Sequence, residues 1–189
     1  MSKHSVLAAV ATLKEMLTDR GLELGDLAGV GEEEVGALIS SLDIFVLQSV
    51  DKDVIFILKK LKNSELVKAA ELITEDRRAS TIIVSKDKMS GVNMDCAYTN
   101  FGRTVENFTL DELMINISHH DNVPKHELIT TEEAKALLTG LKLKTPAQLP
   151  IIFKTDPMAR YIGARSGDVV RIHRKSLTAG ETIFYRFCV

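Results

Sequence analysis

The chain has 189 residues and a mass of 20.9 kDa, with 45% hydrophobic and 26% charged residues and a net charge of −2. Such a composition excludes a disordered or repetitive chain and suits one large domain or two small ones, with roughly 70% of the unfolded surface available for burial. Two cysteines, Cys96 and Cys188, exclude a disulfide scaffold and an all-cysteine zinc site and fit a reducing compartment.

Taken in chain order, Val6, Val10, Leu13 and Leu17 recur at helical spacing and predict a helix over 5–20, stopped by Gly21. Gly31-Glu32-Glu33-Glu34 opens a second helix, with acids in the first turn where the dipole favours them and Val35, Leu38, Ile39 and Leu42 on one face. The period then changes. Asp43–Leu47 and Val54–Leu58 are short apolar runs around Asp51-Lys52-Asp53, which predicts a hairpin or two adjacent strands. Residues 63–74 read as a helix and Thr81–Val84 as a buried strand. A polar loop is expected over 85–95, with Lys86, Lys88, Ser90 and Gly91, followed by weak strands at 103–108 and 113–118.

His119-His120-Asp121-Asn122-Val123-Pro124 is a polar turn or linker signal. Beyond it, Thr130 or Thr131 caps a helix with Glu132 and Glu133 in its first turn, and Gly140 is expected to end it. Leu149–Phe153 predicts a short strand. Asp156-Pro157 starts a short helix with proline in its first turn, and Gly163 ends it. Val169–Arg174 and Ile183–Val189 read as strands joined by a turn over 175–180. In the last strand Ile183, Tyr185, Phe187 and Val189 share a face, and Arg186 points the other way. The fold class is therefore α/β with mixed sheets, in two parts: residues 1–115 and 116–189.

Charge supports the division. Residues 1–123 carry 13 Lys/Arg and 20 Asp/Glu, net −7; residues 124–189 carry 11 and 6, net +5. No apolar run reaches ~18 residues, so no helix spans a membrane. The start, Met1-Ser2-Lys3-His4, lacks the charged-then-apolar pattern of a secretory leader.

Catalytic signatures are missing. There is no Gly-x-Ser-x-Gly elbow, phosphate loop or dinucleotide fingerprint, and Gly29-Val30-Gly31 lacks the third glycine. Neighbouring His119 and His120 would face opposite ways in a strand, so no metal site is expected. A nuclease needs a carboxylate-x-lysine pair at a strand end to hold a metal beside phosphate. Only Glu133-Ala134-Lys135 has that spacing, and it falls in a helix, where the two side chains do not face each other. The strongest physical signal is the basic cluster Arg160, Arg165, Arg171, Arg174, Lys175 and Arg186. It could bind phosphates, as in a free-standing nucleic-acid-binding factor using a basic C-terminal face, or pair with acids of a protein partner. No cofactor is expected.

Several C-terminal motifs follow one another in order. They are Val123-Pro124-Lys125-His126-Glu127, Gln148-Leu149-Pro150, Asp156-Pro157-Met158-Ala159-Arg160-Tyr161-Ile162-Gly163, Gly167-Asp168-Val169-Val170-Arg171-Ile172-His173-Arg174, Ser176-Leu177-Thr178-Ala179-Gly180 and Tyr185-Arg186. This run over 116–189 resembles the fifth-largest subunit shared by eukaryotic DNA-directed RNA polymerases, and the smaller archaeal polymerase subunit that corresponds to it. The resemblance implies a non-catalytic subunit. Its C-terminal assembly domain would dock on the largest polymerase subunit and on the small omega-like subunit. Asp156, Pro157, Arg160, Tyr161, Gly163, Arg171, Arg174 and Arg186 would form that interface. Residues 1–115 resemble the eukaryotic jaw domain more loosely. There Lys86, Lys88 and Ser90 would occupy the loop near downstream duplex DNA. The family's Thr-Pro-Ser-Ala loop is reduced to Ser90, and the acidic jaw implies only weak, salt-sensitive contact. The resemblance implies a nuclear setting for a eukaryotic chain, and a virion, viral factory or host nucleus for one encoded by a large DNA virus.

Overall fold

A computed structural model describes residues 3–74, 76, 80–176 and 180–189. The expected turn at 175–180 therefore falls partly, at Leu177-Thr178-Ala179, outside the described residues. The backbone divides into two compact units, Met1–Ile115 and Asn116–Val189.

The first unit opens with α1 (Lys3–Asp19), whose Val6, Val10, Leu13 and Leu17 are buried. Gly21, at φ 72°, adopts the left-handed backbone that closes this helix: its N–H reaches the Thr18 carbonyl and that of Leu22 the Leu17 carbonyl. After α2 (Asp26–Gly29) and α3 (Glu32–Ser41) come β1 (Ile44–Gln48) and β2 (Asp53–Ile57), then α4 (Asn63–Glu71) and β3 (Thr81–Ser85). The unit ends with α5 (Gly91–Phe101), β4 (Glu106–Thr109) and α6 (Leu110–Leu113). The sheet order is β1-β2-β3-β4; β1 is antiparallel to β2, and β2, β3 and β4 are parallel. Every residue of β2 and β3 is buried, which explains their unbroken apolar runs: both faces are covered. On one face Ile55, Ile57 and Ile83 pack with Leu66, Ala69 and Ala70 of α4 and Ala97 and Phe101 of α5. On the other, Phe45 and Phe56 are direct cross-strand partners with stacked rings, centroids 4.9 Å apart.

Three expectations need correction here. The polar loop is only 86–90, because Ser90 accepts a hydrogen bond from the Asn93 N–H and starts α5. That helix buries fully only Ala97 and Phe101, one turn apart, so it leaves almost no apolar period to read. The expected strand at 113–118 is instead the short helix α6 followed by a 3₁₀ turn, Ile117–His119. Thr109 and Glu112 form a reciprocal capping box there, a signal present in the sequence. On α3 only Val35 of the expected stripe is fully buried, and Leu42 lies beyond the helix, exposed.

The second unit contains β5 (Lys125–Leu128), α7 (Thr131–Gly140), a 3₁₀ turn (Pro146–Gln148), β6 (Ile151–Ile152), α8 (Pro157–Tyr161), β7 (Val169–Ser176) and β8 (Gly180–Cys188). The order is β5-β7-β8-β6, with β8 antiparallel to β7 and parallel to β6. Strand β5 has no apolar alternation, so only its pairing with β7 reveals it. The sheet lies between two helices. On one face Val170, Ile172, Cys188 and Ile152 pack with Ala159 of α8; on the other Val169, Tyr185 and Phe187 pack with Leu137 and Leu138 of α7. Thr130 and Glu133 form the capping box of α7. Gly140 does not end it: Gly140 is its last helical residue, and the left-handed position falls on Lys142, at φ 56°. Among the described residues no helix is long and apolar enough to cross a membrane.

Candidate subunit interface

The motif Asp156–Gly163 builds a complete one-turn helix with both ends closed. The Asp156 Oδ1 accepts from the N–H groups of Met158 (2.9 Å) and Ala159 (3.3 Å), and Pro157 supplies a preset φ in the first turn. At the other end Gly163 stands at φ 73°; its N–H reaches the Arg160 carbonyl (3.0 Å) and that of Ala164 the Ala159 carbonyl (2.8 Å). This paired arrangement needs a left-handed residue, and glycine takes it without Cβ strain. Asp156, Pro157 and Gly163 thus shape the helix.

Tyr161 is buried, 5% exposed. Its hydroxyl accepts from the Asn116 side-chain amide at 3.1 Å and lies 3.3 Å from the Ser118 hydroxyl. It ties α8 to the first residues of its own unit. Arg160, its neighbour, is half-buried.

The three strand arginines do not share a face. Strand alternation puts Arg174 and Arg186 on the α8 side and Arg171 on the α7 side. Arg186 donates to the Ile151 carbonyl at 3.2 Å, and the Arg174 guanidinium sits 6.0 Å from the Phe184 ring centroid. Arg171 lies 6.0 Å from the centroid of its cross-strand partner Tyr185 and donates to Glu133 at 3.4 Å. The α7 side continues as a charge ladder. Glu127 pairs with Lys125 (2.6 Å) and His173 (3.0 Å), and both hold its carboxyl below the usual range. On the α8 side, His126 donates from Nδ1 to the Pro124 carbonyl at 2.6 Å. Burial pushes its pKa below the ordinary histidine value, although Pro124 and Asp156 oppose this; Arg186 adds to the fall. Burial also raises the Cys188 thiol pKa, in keeping with an apolar packing residue.

Lys86, Lys88 and Ser90 lie in the first unit, on the exposed turn beyond the carboxyl end of β3. Ser90 is already engaged as the cap of α5. Sequence reasoning missed a denser group in this unit. Arg20 grips Glu106 with two hydrogen bonds, 3.2 and 2.8 Å, and Lys52 pairs with the same carboxylate. Burial opposes ionisation of Glu106, but the two cations outweigh it and hold its carboxyl below the usual range. Partners 86 and 54 positions away leave no local pattern to read. Among the described residues no group of three or more His, Cys, Asp or Glu is placed to hold a metal ion.

The geometry is that of a small mixed sheet with arginines on both faces. Comparison with known proteins gives it a family. Residues 115–188 match the model of the RNA polymerase Rpb5 C-terminal domain. A Staphylothermus marinus protein named DNA-directed RNA polymerase subunit Rpo5 is 54% identical over 74 residues, 39% of this chain and 80% of that protein. A Sulfurisphaera tokodaii protein of the same name is 44% identical over 78 residues, 41% of this chain and 92% of its own length. The chain therefore belongs to the family of RNA polymerase subunits that Rpb5 and Rpo5 represent. A Dictyostelium discoideum protein, DNA-directed RNA polymerases I, II, and III subunit rpabc1, is 44% identical over 121 residues. That match covers 62% of this chain, so it extends into the first unit, and 61% of the slime-mould protein's length.

Proposed function

We propose that the protein is a non-catalytic subunit of a multisubunit DNA-directed RNA polymerase. Residues 116–189 act as its assembly domain, docking on the largest subunit and on the small omega-like subunit. Residues 1–115 act as a jaw-like domain lining the entry of downstream duplex DNA. The observation that carries the reading is the coincidence of a self-contained structural unit, Asn116–Val189, with the stretch 115–188 that matches the polymerase family. Within that unit Arg174 of β7 and Arg186 of β8 lie on one face of the sheet, and their planar guanidinium groups suit paired bonds to carboxylates and carbonyls. Contact of the first unit with DNA would rest on Lys86 and Lys88. Two lysines against an acidic background give a weak contact that fades as salt rises. In a eukaryotic cell the protein would act in the nucleus.

Size-exclusion chromatography of the tagged full chain from its native cells, with peptide identification of what travels with it, tests the reading. A subunit elutes with the large polymerase chains. Elution near 20.9 kDa, with no polymerase peptides, contradicts the assignment.

A further inference from the structure

The sheet of the second unit is unevenly finished at one edge. Strand β8 runs for nine residues, but β6 pairs with it only at Phe187 and Cys188. The register of β8 against β7 is continuous from Gly180 to Phe187, without a bulge. That register fixes where each main-chain group points. The Cys188 N–H bonds to Asp168 on the β7 side, whereas Phe187 and Val189 donate to Pro150 and Ile152 on the β6 side. Alternation then aims the N–H and C=O groups of Glu181, Ile183 and Tyr185 outward, past the end of β6. The lane beside them is closed to this chain's own strand, because Pro150 and the 3₁₀ turn precede β6 directly.

Natural sheets blunt such edges with bulges, prolines or short strands, and β8 has none of these over 181–185. Ile183 is 50% exposed and Phe184 47% exposed, on opposite faces of the same edge. Arg174 lies over Phe184, and Arg186 stands two residues further along that face. An open row of backbone donors and acceptors is complementary to another backbone strand, and the flanking side chains specify its chemistry.

We propose that the β8 edge at Glu181, Ile183 and Tyr185 accepts an added strand from a partner polypeptide. The partner segment is extended, with apolar side chains toward Ile183 and acidic ones toward Arg174 and Arg186. This rests on the reading of the chain as a polymerase subunit, and it names the mode of contact. Main-chain bonds supply attachment, and alternate side chains supply selectivity.

Residue-resolved amide hydrogen exchange of the full chain, free and within the isolated complex, is the test. In the free chain Glu181, Ile183 and Tyr185 should exchange fast, while the inward amides of Thr182, Phe184 and Arg186 are protected. In the complex the three outward amides should slow by at least about tenfold. Two variants separate backbone from side-chain docking. Ile183→Pro removes an outward N–H, which an edge strand tolerates, and should reduce incorporation by about tenfold. Ile183→Thr keeps the N–H and should incorporate nearly as the parent does. Unchanged outward amides in a complex that does form would overturn strand addition while the subunit reading stands, as would equal losses from both variants. Self-association of the purified chain through the same amides would also overturn it, in favour of a second copy. If the parent chain never travels with a polymerase, the subunit reading falls and this proposal falls with it.

Discussion

The two sheets of this protein solve the same packing problem differently. In the first unit the central strands β2 and β3 are parallel, short and buried at every position, with a helical layer on one face and stacked Phe45 and Phe56 on the other. In the second unit the longest strand, β8, is buried only at Cys188 and carries exposed Ile183 and Phe184. Two short helices cannot cover a nine-residue strand. The first unit covers its central strands internally, whereas the second leaves apolar surface of β8 exposed, the surface on which the proposed partner would sit.

Buried residues are what hold each unit, so their truncation should have the largest effects. Tyr161→Ala should cost the second unit about 3–5 kcal/mol, because it empties a buried ring site and removes the hydroxyl that the Asn116 amide bonds. Tyr161→Phe should cost only about 1–2 kcal/mol. Denaturant titration followed by amide signals of residues 116–189 measures both. An unaltered midpoint for the alanine variant would move Tyr161 from the core to the interface.

The matching change in the first unit is Glu106→Ala. It leaves Arg20 and Lys52, 6% and 14% exposed, facing each other without their carboxylate, and should cost about 3 kcal/mol. The same site sets an acid limit. The folded Glu106 carboxyl holds a proton less tightly than the unfolded one. Its stabilisation is therefore present above the ordinary carboxylate pKa and is lost as pH falls through the folded value. Melting of the first unit should fall in that acid range, and Glu106→Gln should flatten the slope.

The second unit should respond at milder acidity. Folded His126 binds its proton less readily than it does unfolded, so its contribution is complete above the ordinary value of 6.5 and declines as pH falls through the folded value. His126→Gln should remove that slope. The smallest expected change is a gain. Lys142→Gly relieves a left-handed residue at the end of α7 and should stabilise the second unit by about 0.5–1 kcal/mol, read as a raised melting temperature.

What the sequence made legible follows from the range of each interaction. The apolar runs around Phe56 and Ile83 and the Asp156-Pro157…Gly163 helix are written locally, so strands and helix are found where those patterns predict them. Helix α5 was hidden because its buried surface is reduced to Ala97 and Phe101, and β5 because Lys-His-Glu-Leu has no alternation. The capping box at Thr109 and Glu112 was there to be read and marks a helix start where a strand was expected. The candidate interface was only half legible. Composition gathers Arg171, Arg174 and Arg186 into one cluster, but a strand separates odd from even positions, and Arg171 turns to the opposite side. Tyr161 carries the ambiguity common to its residue type, since a ring with a polar tip suits an interface as well as a core. Its hydrogen bond to Asn116 decides its place within this chain, and no spacing rule predicts a partner 45 residues away.

In the proposed division of labour, the second unit holds the protein in a polymerase and the first does not. Charge reversal tests it most directly. Tagged full chains carrying either Arg174→Glu with Arg186→Glu, or Lys86→Glu with Lys88→Glu, are expressed beside the parent, and their incorporation into the large complex is measured by quantitative peptide identification. Incorporation should fall at least about tenfold for the arginine pair, since truncating a desolvated interfacial charge alone weakens binding by that much or more. For the lysine pair incorporation should be unchanged. Incorporation that survives reversal of the arginines but fails on reversal of the lysines would contradict it.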